Sequence, residues 1–432
     1  MPKVDPTGVT LPNLFRNRNF RYLWIGNTTS ATGFFVMTVI FDWYIYAATH
    51  DTLLLATLGV VEFVPMLVLG VLAGAFVDRH DRRRVMIAAD IVRASSLAAL
   101  AVYILFWGFD TVVLLTTVVV ISAVSTLFET ASDALLPSLV TDAELPAANG
   151  ALTAGGTVAQ FVGSPLGGAL ILLLGVSSGL IFNSLTYAFS ALCVTLLSVS
   201  RHRQSAPGDS KGKSEDPSFL SDVAEGFRYL RSQRALLLLT LTTMVINFFS
   251  FYNLYIVVYS TTYLDQGPAT YGILLGTSAV GAAVGGLLSH RLALERAPGL
   301  SVPIAWALSG LPIILLVLAP LLPLALACMF ADGFAGALVN VTFISVVQRT
   351  VPDRMLGRYL SINQSVGYSL IPAGIVAGGL LIVYFGLFAA FVVAGAITFL
   401  LSLSLLISSE VRAWGRMGLG PTPTSSISNH SN

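Results

Sequence analysis

The chain has 432 residues, 55% apolar and only 10% charged, with a net charge of +1. Soluble domains carry nearer a quarter charged residues, so a water-facing surface is excluded over most of the exterior, which must meet lipid. The small net charge excludes a nucleic-acid partner. The two cysteines, Cys193 and Cys328, each inside an apolar run, exclude a disulfide framework.

In chain order, the first stretch is polar, with Pro2, Pro6 and Pro12, and no cleavable leader is read there. A hydrocarbon core of about 30 Å takes about 20 apolar residues per helix. That ruler predicts twelve spans: 20–47, 53–77, 85–107, 112–136, 148–174, 179–199, 235–262, 269–289, 300–318, 321–346, 358–384 and 386–408. Turn residues or charges separate them, such as His50-Asp51, Gly108-Phe109-Asp110 and Asp265-Gln266-Gly267-Pro268. All 23 Lys and Arg fall at the N-terminus, in alternate loops, at the tail, or, for Arg93, just beyond the first arginine-rich loop. Such sorting marks cytoplasmic loops. It predicts both termini in the cytoplasm of a multi-pass inner (plasma) membrane protein.

Residues 200–234 divide the spans six and six. They begin with a Ser/Gly/Lys-rich linker from Ser205 to Asp216. Phe219, Leu220, Val223, Phe227 and Leu230 then share one helical face, which reads either as an interfacial amphipathic helix or as a solvated connector. The expected organisation is an all-α membrane protein of two pseudo-symmetric six-helix bundles, 1–199 and 235–408, with a cytoplasmic tail at 409–432. A faint repeat supports the division. Pro137-Ser138-Leu139-Val140 and Gly167-Gly168 in the first half match Pro352-Asp353-Arg354-Met355 and Gly378-Gly379 in the second. Paired halves of this kind place a substrate site between them near the midplane.

Small residues at four-residue spacing let helices approach in lipid. They form stripes in span 2 (Gly70, Gly74), span 5 (Gly155, Ala159, Gly163, Gly167), span 8 (Thr277, Gly281, Gly285, Ser289) and span 11 (Gly374, Gly378). Small residues are frequent in any membrane helix. Four stripes at equivalent positions predict instead the interface along which the halves rock.

Gly74-Ala75-Phe76-Val77-Asp78-Arg79-His80-Asp81-Arg82-Arg83 resembles the G-x-x-x-D-R-x-G-R-R loop signature of the major facilitator superfamily, with Asp81 where a glycine is usual. Gly163-Ser164-Pro165-Leu166-Gly167-Gly168 looks like the G-P-x-x-G-G motif of its antiporter branches, the proline shifted by one place. Ala88-Ala89-Asp90 through Arg93-Ala94, and Leu136-Pro137-Ser138-Leu139-Val140 through Asn149, are similar to the branch of macrolide-type drug exporters and the enterobactin exporter, with lysophospholipid carriers nearby. The resemblance implies the major facilitator fold and a secondary transporter. It also implies that Asp78 sits on the N-terminus of span 11 while Arg82 or Arg83 pairs with Glu129 or Asp133 of span 4. Together with Gly74 and Arg79, these residues would latch one end of the carrier. The alternative is that the arginines only set orientation.

Acids inside spans are functional candidates. Glu62 and Asp332 fall near mid-bilayer, Asp42 in the outer part of span 1, Glu129 and Asp133 toward the cytoplasmic end of span 4, and Asp90 near the start of span 3. Arg93, placed close to the cytoplasmic face, is the nearest cation. A carboxylate buried without a cation takes up a proton. Glu62, Asp332 and Asp42 therefore either exchange a proton for a cationic substrate or stay protonated and hydrogen-bonded to Asn27, Asn247, Asn253, Asn340 or Tyr252. Phe34, Phe35, Asn247, Tyr252, Tyr255 and Asn340 are the expected cavity wall, although aromatics at helical spacing also serve packing.

No G-x-x-x-x-G-K-[ST] loop occurs. The expectation is a non-enzymatic, monomeric carrier that uses the proton gradient and no cofactor. Its partners would be the lipid bilayer and a lipophilic or cationic small molecule moved outward. A lipid-like cargo, or a scaffold that binds ligand without moving it, is the alternative.

Overall fold

The computed structural model describes residues 14–198, 219–289, 291–292 and 297–414. Among them are ten apolar helical stretches long enough to cross a bilayer, and the two longest, of 51 and 53 residues, each contain two crossings. Gly175 (φ 81°) and Gly386 (φ 82°) reverse the chain inside these two, in a backbone region that only glycine enters without strain. The described residues thus make twelve crossings. Spans 1 to 4 are Arg18–Thr49, Thr52–Arg79, Arg82–Trp107 and Thr111–Leu139. Spans 5 and 6 share Leu145–Thr195, on either side of Gly175. Span 7 comprises Arg234–Phe249 and Ile256–Thr262, and spans 8 to 10 are Pro268–Ser289, Pro298–Leu318 and Leu322–Thr350. Span 11 joins Asp353–Tyr368 to the first part of Ile371–Ser404, and span 12 is the part beyond Gly386.

Local chemistry starts several spans. Asp51 accepts from the Leu53 and Leu54 amides at 2.8 and 3.1 Å, and Asp110 caps span 4 in the same way. Asp81, the departure from the loop signature, accepts from the Arg84 amide at 3.0 Å. Its φ of −65° calls for no glycine, so the substitution serves as the N-cap of span 3. Spans 7 and 11 are broken side by side. Ser250 donates to the Asn247 carbonyl and Asn253 to the Ser250 carbonyl, competing with the helix ladder. In span 11, Pro372 removes a donor just after Leu370. Asn247 Nδ2 ties the two breaks together through the Gly367 carbonyl at 2.9 Å.

The core shows how the halves meet. At the end away from the arginine-bearing loops, one apolar cluster draws on both halves, including Val36, Ile40, Ile45, Tyr255, Tyr259, Tyr271 and Ile375. At the arginine-bearing end there are two separate clusters, one around Met86, Leu135 and Val194, the other around Leu239, Val347 and Tyr359. Each belongs to one half. The halves are therefore sealed at one end and parted at the other.

The glycine stripes do not form that seal, contrary to the expectation from their spacing. A Cβ on Gly163 would lie 2.7 Å from the Thr32 carbonyl, and one on Gly167 2.9 Å from that of Val36, so span 5 beds on span 1 of its own half, as Gly155 does on Thr28. Gly281 and Gly285 likewise press on span 10, and Gly374 and Gly378 on span 7, while Gly70 and Gly74 have open space beside them. Contact between halves uses the neighbouring face. Gly168 meets Pro268 and Ala269 of span 8, Gly276 meets Pro165, and Gly379 meets Leu53 and Ala56 of span 2. The two Gly-Gly pairs act alike in part: the first glycine packs within its half and the second reaches the other half, a Cβ on Gly379 also lying 2.7 Å from the Tyr255 hydroxyl of its own half.

The helix Phe219–Ser232 docks onto span 11, with Leu230 buried and Glu225 paired with Arg358, whereas Phe227 is exposed. The side chains of Phe219, Leu220 and Val223 lie outside the described set. Of the expected tail, Ser409–Ala413 is a short helix anchored by Val411 and Trp414. Residues before 14, the linker from Ser205 to Asp216 and the tail from Gly415 lie outside the described residues.

Gly163→Leu is expected to destabilise the protein by about 1–3 kcal/mol through overpacking, read as a lower thermal midpoint in detergent. Gly70→Leu, with nothing within 4 Å of its new Cβ, should leave the midpoint unchanged.

Candidate transport cavity

Because the halves part at the arginine-bearing end, a cavity rises between them toward the seal. Its apex, about 350 Å³, takes residues from both halves: Phe34, Met37, Glu62, Phe63, Met66, Ser125 and Glu129 from the first, and Ser250, Phe251, Asn253, Ile371 and Ile375 from the second. It adjoins a recess of about 430 Å³ in the first half. The two share Phe34, Ser125 and Glu129, and the recess adds Asn27, Phe35, Arg93, Ser132 and Asp133. The opposite wall, about 520 Å³, carries Asn247, Asn340, Asn363 and Gln364 among Trp306, Phe343 and Tyr368, without a charged residue. One wall is acidic and the other is amide-lined.

The structure separates the predicted acids. Glu62 faces the apex, with Oε1 buried and unpartnered. Asp42 is 2% exposed and sits in the seal, where Tyr271 of the other half donates to its Oδ2 at 2.6 Å, leaving Oδ1 without a partner. Asp332 accepts from Tyr252 at 2.8 Å and lines none of the three recesses. Tyr252 and Tyr255, expected on the cavity wall, are buried instead. The Tyr255 hydroxyl lies 3.0 Å from the Ile375 carbonyl and 3.4 Å from that of Thr52 across the seal.

The loop residues also differ from expectation. Arg82 donates to the Ala134 carbonyl at 2.6 Å, and Arg83 to the Val194 and Thr195 carbonyls at the end of span 6. Neither reaches Glu129 or Asp133. Asp78 and Arg79 are exposed at the parted end, where the span 2 and span 11 termini have no seal between them.

Sequence reasoning missed the depth of Arg93. Eleven residues beyond Arg82, at about 1.5 Å each, it stands near the middle of span 3, and it is 4% exposed. Its guanidinium pairs with Asp90, fully buried, and lies 4.2 and 4.4 Å from the ring centroids of Phe128 and Tyr187. Counting along the helix from Arg82, rather than grouping Arg93 with the loop, would have found it.

A bundle of two six-span halves, sealed at one end around a central cavity, is the architecture of a carrier with alternating access. The chain belongs to the major facilitator superfamily, in the family described as transmembrane secretion effector, whose model matches residues 11–425. It is similar to the multidrug efflux pump Tap of Mycolicibacterium fortuitum, 26% identical over 84% of this chain and 89% of that one. It is also similar to macrolide efflux protein A of Streptococcus pyogenes, 24% identical over 91% and 96%. Among solved structures the fold matches the nucleoside transporter NupG (TM-score 0.69, 12% identity, 90% of this chain and 98% of that one). It also matches a bacterial homologue of the lysosomal transporter Spinster in an inward-facing, unoccupied conformation (TM-score 0.65, 15% identity, 95% and 98%). The protein is a multi-pass membrane transporter with drug-efflux relatives.

Tyr271→Phe removes a hydrogen bond to a buried carboxyl, worth about 1.5–3 kcal/mol when the acceptor is charged. The expected result is a shift of roughly tenfold or more away from the sealed state. Pulsed electron spin resonance between labels at Asp51 and Gln266 would show it as a longer distance; an unchanged distribution would remove this bond from the seal.

Proposed function

We propose that the protein exports a lipophilic, cationic small molecule across the plasma membrane by alternating access, in exchange for protons. The observation that carries this reading is the cavity apex. It is apolar and aromatic, contributed by both halves, and its charged groups are the carboxylates Glu62 and Glu129. A cation with a greasy body fits such a surface, because burying an unpaired carboxylate in a low-dielectric site is costly. The efflux relatives support the same reading, one described as a multidrug pump and one as a macrolide exporter.

The arginine-bearing end is taken as cytoplasmic, so the parted halves present the cavity to the cytoplasm and the Asp42–Tyr271 contact closes the outer side. Asp78, Arg79, Arg82 and Arg83 then serve the opposite state, in which the cytoplasmic ends close and the outer seal opens. In this reading Glu62 carries a proton in the cavity, Asp42 belongs to the gate, and Asp332, satisfied by Tyr252, is structural. The carrier works as a single chain without a cofactor. A membrane potential supplies about 2.3 kcal/mol per charge per 100 mV, equivalent to roughly a fifty-fold gradient per proton.

Inverted membrane vesicles containing the protein are expected to accumulate the lipophilic cation tetraphenylphosphonium on acidification of the lumen, and an uncoupler should abolish this. Glu62→Gln should lower proton-driven accumulation at least tenfold. Transport of a lysolipid without transport of the cation would replace the drug-export reading with lipid flipping, and wild-type rates in Glu62→Gln would remove Glu62 from coupling.

A further inference from the structure

The Arg93 cluster explains how one cavity acid stays open to a cation in the presence of a nearby guanidinium. Arg93 and Glu129 line the same recess. Arg93 Nη1 points at Ser125 Oγ, 3.5 Å away, and Ser125 lies one helical turn from Glu129 on the same face of span 4. Left alone, an intramembrane arginine beside a carboxylate would pair with it, since each charge otherwise loses its hydration uncompensated. Here the Arg93 guanidinium is turned to Asp90 on its own helix, three residues back, and wedged between the Phe128 and Tyr187 rings. Glu129 is left exposed to the cavity, with no hydrogen bond or ion pair among the described residues.

The groups facing Glu129 are few. Asp133 lies one turn along span 4, Arg93 comes from span 3, Glu62 from span 2 and Tyr187 from span 6, while span 1 contributes the uncharged Asn27. Arg93 is the cation of the set, and its Nη2 is taken by Asp90, Nε keeping no partner.

We propose that Asp90, by holding the Arg93 guanidinium, keeps the Glu129 carboxylate open as the binding site for the cationic group of the cargo. This rests on the cationic-cargo reading above and assigns the site within the cavity. Glu129 holds the organic cation, while Glu62 in the same apex gives its proton to cavity water when the cation arrives and takes one up when the cation leaves. Asp90 is a positioning residue that acts through Arg93, and the Asp90–Arg93 pair stays charge-neutral throughout.

The purified full-length protein in detergent, titrated with tetraphenylphosphonium at low buffer concentration, tests the assignment. Wild type should bind the cation and release close to one proton per cation bound. Glu129→Gln should weaken binding at least tenfold, with proton release falling in step with the cation bound. Asp90→Asn frees Arg93 to pair with Glu129, so binding should also fall about tenfold. The double variant Asp90→Asn/Arg93→Gln removes the competitor and should restore binding to within about threefold of wild type, which a purely structural role for Asp90 would not allow. Unchanged affinity in Glu129→Gln, or no recovery in a double variant that retains its thermal midpoint, would overturn the assignment while leaving the cationic-cargo reading intact. Failure of wild type to bind the cation would overturn that reading itself.

Discussion

Close approach of backbones at one end of the bundle is the constraint on which the rest of the structure depends. Lipid offers apolar helices no hydrophobic reason to associate, so contact between the halves needs surfaces without side chains in the way. Gly168 against the Pro268 carbonyl and Gly272 against the Ser164 carbonyl supply it between spans 5 and 8, and Gly379 lets span 11 meet the Leu53 and Ala56 side chains of span 2. With the halves pinned there, the remaining length of each bundle diverges and a cavity opens. The first glycine of each pair has a different duty. Gly167 beds span 5 on span 1 and Gly378 beds span 11 on the Phe251 ring of span 7, so the first glycine of each pair serves packing within its half.

Within that frame the polar groups divide into those satisfied by the fold and those left open. Asp332 has Tyr252 and Asn247 holds the break of span 11, while the Arg93–Asp90 pair, packed against two aromatic rings, still leaves Arg93 Nε and Asp90 Oδ2 without partners. Glu62 and Glu129 face the cavity, and Asp42 keeps one unpartnered oxygen within the seal. In a medium where unpaired charge is expensive, unsatisfied carboxylates have a reason to be there. Glu62 and Glu129 sit in the cavity, and Asp42 bonds across the contact between the halves. The two walls differ as well: acids line the first half, whereas the second offers amides and aromatics. In the proposed export cycle, a cargo held between them would meet charge on one side and neutral hydrogen-bonding groups on the other.

Twelve crossings and their division into halves were legible in the residues, because hydropathy and charge sorting are set by the solvent on each side of every helix and hardly depend on neighbours. The Gly-Gly repeat between spans 5 and 11 was legible for a related reason: equivalent places in two halves impose equivalent steric demands. Which helix each stripe would touch was not, since spacing along a helix shows a face and not what lies opposite. Tyr255 reads as a cavity aromatic and is a seal residue; Arg93 reads as a loop charge and is mid-membrane. Asp42 and Tyr271 are 229 positions apart, and no local pattern announces their hydrogen bond. Element number and polarity of each face therefore followed from the chain alone. The pairing of Arg93 with Asp90 rather than Glu129, and the end at which the halves close, were decided by tertiary packing, because both depend on which surfaces the folded bundle brings within bonding distance.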